Sequence, residues 1–349
     1  MKDFDKLLEE ENVSLNIEKQ IKRKMNKSIY TRVLVLLISI ALIVVGVYKG
    51  SNLIQSEVYY NPNNEEQFLV DDVKGNEFKV LFQTFLGLIH PGQSCWFFDD
   101  IEDLGNGKYS FAVKVFDSFY SSNYDWQTNM TFGIEKSKLK INTNASSERL
   151  LVIADEFVEP GKTSSTYSDN LDYIYKEVQA LPDSGYINAS ISFKEYKTLD
   201  EVVSYMETYN DVAFKWLALK GMNLDSQIAG GMTLYESSYW DLSENTIKEY
   251  PYFYIWKNEQ RNADTLKQNY LSKLKILLDH KDFVKVMENE FGGLLDYETI
   301  QSHYDKAQNE MLAYGFRINI KKADFLKILE NEDISMARVH DVKLSRLSK

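Results

Sequence analysis

The chain has 349 residues, with 40 Lys/Arg against 52 Asp/Glu and a single cysteine, Cys95. Charge is unevenly placed: residues 1–49 hold nine Lys/Arg and six Asp/Glu and the remainder 31 and 46, so +3 and −15 make up the overall −12. So acidic a body repels nucleic acid and phosphate polymers and excludes them as partners. One cysteine excludes an internal disulfide framework, leaving stability to the hydrophobic core.

The first element is the run IYTRVLVLLISIALIVVGVYKGSN, Ile29 to Asn52. Val33 to Tyr48 carries no charge and rises about 24 Å as a helix, a little short of a hydrocarbon core of about 30 Å. The preceding turn, with Arg32 snorkelling to the headgroups, makes up the difference. A cleaved signal would need a short basic lead and small residues of the A-x-A kind before the cut, and neither is present. The run predicts a membrane anchor. Lys19, Lys22, Arg23, Lys24, Lys27 and Arg32 crowd its amino side, whereas Glu57, Glu65, Glu66, Asp71 and Asp72 follow it. Excess Lys/Arg stays cytoplasmic, so the expected arrangement is a single pass in the cell membrane, amino terminus inside and the body exported. Lys19, Lys22, Arg23, Lys24 and Lys27 should also lie against anionic lipid.

The expected divisions are a cytoplasmic tail over 1–28, a transmembrane helix over 29–48, a β-rich module over 49–160 and an α+β module over 161–349. In the first module FKVLFQTF, SCWFF, YSFAVKVF and TFGIEKSKLKI read as strands. Tyr109, Phe111, Val113 and Val115 alternate with Ser110, Ala112 and Lys114, the period of a half-buried strand. Asn106-Gly107 is a hairpin turn signal. The polar stretch VEPGKTSSTYSDN, Val158 to Asn170, marks the boundary.

The second module opens with a helix and then a strand–helix–strand unit. YINASISF puts Ile187, Ala189, Ile191 and Phe193 on one face. Thr198 and Glu201 form a capping box ahead of a helix carrying Val202, Val203 and Met206, and VAFKWLALK is the return strand. The last forty residues echo this: MLAYGFRINI places Tyr314, Phe316, Ile318 and Ile320 on one face and Arg317 on the other, toward solvent. KKADFLKILENE is a helix and MARVHDVKL a closing strand. Between the units, Leu266, Tyr270, Leu274 and Leu277, and then Ile300, Tyr304, Ala307 and Met311, form two helical stripes. The fold class is α+β, with one transmembrane helix, a β-rich exported module and an α+β module built on strand–helix–strand units.

Signals for chemistry are weak. GKTSS at Gly161 lacks the glycine a phosphate loop needs, since position 156 is Glu156. Ser137-Lys138-Leu139-Lys140 fits S-x-x-K but lies in an alternating strand, with serine and lysine on opposite faces. DDIEDLGNGK lacks calcium-loop spacing, and His90, His280, His303 and His340 lack metal-ligand spacing. Trp96, Trp126, Trp216, Trp240 and Trp256 all follow the span. They suit a β-rich core first, and stacking on sugars or gripping a peptide second. No catalytic residue, cofactor or metal site is expected.

In the tail, Phe4, Leu7 and Leu8 form a short apolar patch, and Ile17, Ile21, Met25 and Ile29 recur every four residues into the span. A helix formed from Ile29 onward needs no new nucleus to extend back toward Ser14. Phe4, Leu7, Leu8, Ile17, Ile21 and Met25 are therefore the candidate partner-binding residues. The alternative is that the basic residues merely hold the helix at the surface.

The segment from the span through YYNPNN to LGNGKYSFAVKVFD resembles the amino-terminal module of the sigma factor regulator family of Gram-positive bacteria, which comprises membrane-anchored anti-sigma factors and their relatives. LPDSGYINASISFKEYKTLDEV, VAFKWLALK and YGFRINIKKADFLKILENEDISMARVHDVKL resemble its carboxyl-terminal module, and together the two cover most of residues 15–349. The resemblance implies a regulator that holds an extracytoplasmic-function sigma factor inside, alone or with a second small membrane protein, and responds to the envelope outside. It implies no enzyme and no cofactor. The chain departs from the best-known anti-sigma proteins, which carry a larger cytoplasmic domain, sometimes with a zinc-binding H-x-x-x-C-x-x-C. The alternative from the residues alone is an exported ligand- or protein-binding module with an inert anchor.

Overall fold

Helix α1, Lys22–Gly46, is 25 residues long and apolar enough to cross a membrane, and none of it is buried. The hydroxyls of Thr31 and Ser39 donate to the carbonyls of Lys27 and Val35 one turn earlier, at 2.8 and 2.9 Å. These two hydroxyls are thus satisfied within the helix, as a lipid environment demands. The computed structural model describes residues 19, 22–27, 29–46, 59–63, 77–91, 93–97, 100–117, 127–142, 156–162, 170–221, 230–234, 242–255, 262–291 and 295–344. Residues 1–58 and 59–349 are separate units.

The larger unit is mixed α+β with two antiparallel sheets, as its sequence patterns predict. The first sheet comprises β1 (Gln93–Phe97), β2 (Glu102–Gly105), β3 (Lys108–Asp117), β4 (Gln127–Glu135) and β5 (Lys138–Asn142), in the order β1-β3-β4-β5, with β2 also on β3. Tyr109, Phe111, Val113 and Val115 are buried, whereas Ser110, Ala112 and Lys114 are half-buried. Asn106 and Gly107 turn β2 into β3 with φ of +57° and +65°, the left-handed pair a tight hairpin requires. Lys136 and Ser137 do the same between β4 and β5, at +51° and +62°. Ser137 therefore sits in a turn rather than in a strand, where its hydroxyl accepts from the Tyr60 amide at 2.8 Å.

FKVLFQTF is not a strand. It lies in helix α2, Glu77–Ile89, of whose 13 residues 11 are buried. A helix enclosed on every side has no polar stripe, so its period is hidden, and a short apolar run does not separate buried helix from buried strand. Phe78 and Phe82 of α2 pack edge-on against Phe111, at 5.0 and 5.9 Å between ring centres. Farther along the same helix, the Gly87 carbonyl accepts from Trp216 Nε1 at 2.8 Å and from Thr233 Oγ1 at 3.1 Å, both on the second sheet. One continuous hydrophobic core runs between the two sheets.

The second sheet contains β6 (Gly185–Thr198), β7 (Ala213–Leu219), β8 (Gly231–Thr233), β9 (Leu312–Lys321) and β10 (Ile334–Leu344), in the order β10-β6-β9-β7-β8. Helix α3 (Leu171–Ala180) precedes β6, α4 (Leu199–Thr208) joins β6 to β7, and α5 (Glu244–Glu249), α6 (Ala263–Asp279), α7 (Lys281–Glu288) and α8 (Tyr297–Asn309) follow β8. Helix α9 (Lys322–Leu329) joins β9 to β10. The two strand–helix–strand units interleave: β6 and β7 flank β9, and β9 and β10 flank β6. This is the split βαβ arrangement, and it explains the echo in the sequence. The predicted capping box is present, with Thr198 Oγ1 accepting from the Glu201 amide and the Glu201 carboxylate accepting from the Thr198 amide. Ile187, Ala189, Ile191 and Phe193 meet Phe316, Ile318 and Ile320 on the helix-covered face, and Leu266, Tyr270, Leu274 and Leu277 are buried in α6.

Two expectations for β9 are corrected. Pairing on both sides of β9 passes from Ala313 to Gly315. Tyr314 is therefore the extra residue of a bulge, and it turns to the face opposite Phe316, joining Phe157, Trp216 and Ala218. Arg317 does lie on that opposite face, but it is only 4 % exposed, because a separate segment of chain covers it.

Candidate partner-binding site

Of the tail residues expected to meet a partner, Phe4, Leu7, Leu8, Ile17 and Ile21 lie outside the described residues. Met25 is on α1 and 56 % exposed, beside the exposed Lys22, Arg23, Lys24 and Lys27 of the same helix.

The best-built site among the described residues lies on the second sheet, on the face away from its helices. Asn188, Ser190 and Ser192 of β6 and Arg317 and Asn319 of β9 are all buried there, side by side in register. Residues 156–162 cross this face. Glu156 Oε2 accepts from Arg317 Nη1 at 2.8 Å and from Ser190 Oγ at 3.3 Å. The Phe157 ring stacks on Trp216 at 5.5 Å and meets Tyr314 edge-on at 6.4 Å. The Val158 amide donates to Ser192 Oγ at 2.9 Å. Tyr196 contacts Glu159: burial first, then the nearby Glu159 charge and their hydrogen bond, push its phenol up to about 12. Gly315 lies beneath Phe157, where a Cβ would come within 2.4 Å of the Ile191 carbonyl and 2.8 Å of the Phe157 ring. Only glycine leaves room for the aromatic seat.

His340 is at the rim, its Nε2 2.8 Å from Ser190 Oγ and 4.0 Å from Glu156 Oε2. Burial, and after it Arg317 and Arg338, hold its pKa well below the usual imidazole range. A serine–histidine pair beside a carboxylate invites comparison with a hydrolytic triad, but the geometry differs. Glu156 stands on the Nε2 side instead of orienting Nδ1, and Ser190 is fully buried, so no substrate reaches its oxygen. The cluster fixes residues 156–162 to the sheet.

The other motif positions are structural. Gly161 turns the chain at φ +81° and Lys162 pairs with Glu159 at 2.8 Å. Asp103 Oδ1 accepts from the Gly105 amide at 2.8 Å within the acidic turn. No three His, Cys, Asp or Glu side chains gather as metal ligands among the described residues. Cys95 is a free, buried thiol.

Sequence patterns missed this site because its parts are dispersed: Glu156 belongs to a rejected phosphate loop, His340 to an unpatterned strand, and Tyr314 reaches the face only through the bulge. The signal available in sequence was Arg317 inside an otherwise apolar strand.

Residues 178–341 match the family described as sigma factor regulator C-terminal. The match runs from the end of α3 through β6 to β9 with α4 to α9 and into β10, and leaves residues 156–162 outside it. No curated protein and no solved structure matches the chain. The domain supports a sigma-factor regulatory role, and the apolar helix near the amino terminus fits a membrane anchor. Over residues 178–341 the chain is thus similar to the carboxyl-terminal domain of sigma factor regulators.

Proposed function

We propose that this protein is a membrane-anchored, anti-sigma-factor-like regulator of an extracytoplasmic-function sigma factor. The amino terminus is cytoplasmic and the residues after α1 form an exported sensor. The observation that carries the reading is a sigma factor regulator C-terminal domain on the same chain as a helix able to span a membrane. Orientation follows from the Lys/Arg excess before α1. The signalling end is the tail. Phe4, Leu7, Leu8, Ile17, Ile21 and Met25 dock on the sigma factor, alone or with a second small membrane protein. Lys19, Lys22, Arg23, Lys24 and Lys27 hold the helix to anionic headgroups.

The test is purification of the full-length chain from membranes, with and without residues 1–18, followed by identification of what accompanies it. A sigma factor recovered only with the tail present supports the proposal. Equal recovery without the tail, or none with it, favours the exported binding module with an inert anchor.

A further inference from the structure

The segment 156–162 is held as a peptide ligand is held. Each consecutive side chain or amide meets a dedicated group: the Glu156 carboxylate meets Arg317 and Ser190, the Phe157 ring meets Trp216 and Tyr314 above Gly315, and the Val158 amide meets Ser192. A sheet face that needed only a cover would be apolar. A buried arginine costs desolvation that hydrophobic residues of like volume avoid. Recognition of a carboxylate does require one. Beyond Arg317, Asn319 is 4 % exposed and its Oδ1 has no hydrogen-bond partner among the described residues. It lies on the same face and accepts an N–H if a ligand supplies one.

We propose that this face is a recognition site for an extended segment of a partner protein in which a carboxylate side chain directly precedes an aromatic one. In the structure the chain's own Glu156-Phe157 occupies it. Two features select the partner's chemistry. Arg317 lies at the centre of the sheet and donates to the Glu156 carboxylate, so whatever displaces Glu156 brings a carboxylate of its own. The slot above Gly315 is walled by two aromatic residues, so the next side chain is a flat ring. Exchange of the internal segment for an external one frees residues 156–162, and this couples binding at the sheet to the chain that leads into it. The proposal stands on the geometry of this face and does not depend on the sigma factor reading.

The test uses the full-length chain in detergent micelles and a fluorescein-labelled peptide of the sequence Glu-Phe-Val-Glu-Pro-Gly-Lys, followed by anisotropy. The double variant Glu156→Ala, Phe157→Ala, which vacates the site, is expected to bind the peptide at least tenfold more tightly than the wild type. Peptides with Gln in place of the first Glu, or Ala in place of Phe, should bind at least tenfold more weakly. A double variant that melts cooperatively yet binds no better than wild type overturns the proposal. So does equal binding of the altered peptides. If the double variant does not fold, Glu156→Gln, which leaves the ring seated, replaces it. An affinity tighter than that of the wild type is expected, and one equal to wild type overturns the proposal. A mixed dimer of the opened variant with a wild-type chain, seen by size-exclusion chromatography, would make a second copy the occupant and overturn the assignment to a partner protein.

Discussion

Phe111 and Phe132 stand directly opposite one another on β3 and β4, their rings stacked 5.3 Å apart and within 9° of parallel. Phe82 of α2 meets both edge-on, at 5.9 and 5.3 Å. A stacked pair closed by a third ring at right angles satisfies the quadrupole of all three. Phe82→Ala leaves a cavity bounded by the first sheet and should destabilise by about 3–5 kcal/mol. Thermal denaturation checks this, and an unchanged midpoint would contradict the packing.

Gly231 has no room for a side chain, since a Cβ would lie 2.0 Å from the Leu217 carbonyl and 2.6 Å from the Trp216 ring. Gly231→Ala should therefore push β8 off β7 and cost about 1–3 kcal/mol or more. Gly46→Ala meets nothing within 4 Å and should leave the melting of the larger unit unchanged. Equal effects of the two would show that β8 is not packed as described.

Arg317 and Glu156 should show coupling in a double-mutant cycle. Glu156→Ala leaves a buried guanidinium without its carboxylate, and breaking such a pair costs about 3–5 kcal/mol. Arg317→Met with Glu156→Leu removes both charges and should recover most of that loss. Arg317→Asp, which would be mild on a solvated face, should be among the most damaging substitutions in β9. Urea titration of the wild type, Glu156→Leu, Arg317→Met and the double variant supplies the cycle, and additive effects would place the two residues apart.

Acid should weaken the fold through its buried histidines. Burial holds His90 down to about 3, and burial followed by Lys306 holds His303 down to about 4. Unfolded, both take up their proton near pH 6.5. The unfolded chain thus binds more protons below that pH. Stability is complete above about 6.5 and is lost as the pH falls toward 4 and then 3. At up to about 1.4 kcal/mol per pH unit for each group, and half that at pH 6.5 itself, going from pH 6.5 to 5 should cost about 3 kcal/mol from the two. Melting temperatures across this range provide the check, and a flat profile would contradict it.

The tail prediction bears on regulation. Ile17→Glu with Ile21→Glu should abolish capture of the sigma factor and raise transcription of its target genes without altering insertion, because the basic residues before α1 are untouched. Sigma-dependent transcripts that do not respond, with the protein normally inserted, would leave the tail as an anchor alone.

Period-two strands, the capping box at Thr198, the Asn106-Gly107 turn and the stripe from Leu266 to Leu277 were all legible in sequence, because each is a local pattern with one physical meaning. Helix α2 was not, because burial on all sides erases the stripe that marks a helix. Tyr314 was misplaced by the bulge between Ala313 and Gly315, which reverses parity and leaves no local mark. The environment of Arg317 was beyond local reading, since its carboxylate comes from Glu156, 161 positions away. The candidate site is written in long-range pairs, and only its arginine stands out in a single strand.

The interleaving of the second sheet also sets an order of events in time. β6 ends at Thr198, and both of its neighbours, β9 and β10, begin only at Leu312 and Ile334. While the chain is being synthesised, the fourteen residues of β6 therefore emerge long before either ladder partner exists, with N–H and C=O groups open on both edges. Pairing across so many residues is slow because loop closure precedes any reward, and open edges invite other chains. A chain stopped before Leu312 would retain β7 and β8 as the only paired strands of that sheet and present β6 to its neighbours. Premature termination should thus yield aggregates and proteolysis rather than a smaller folded protein, and a nascent chain of this kind is a natural client for chaperones until its last forty residues arrive.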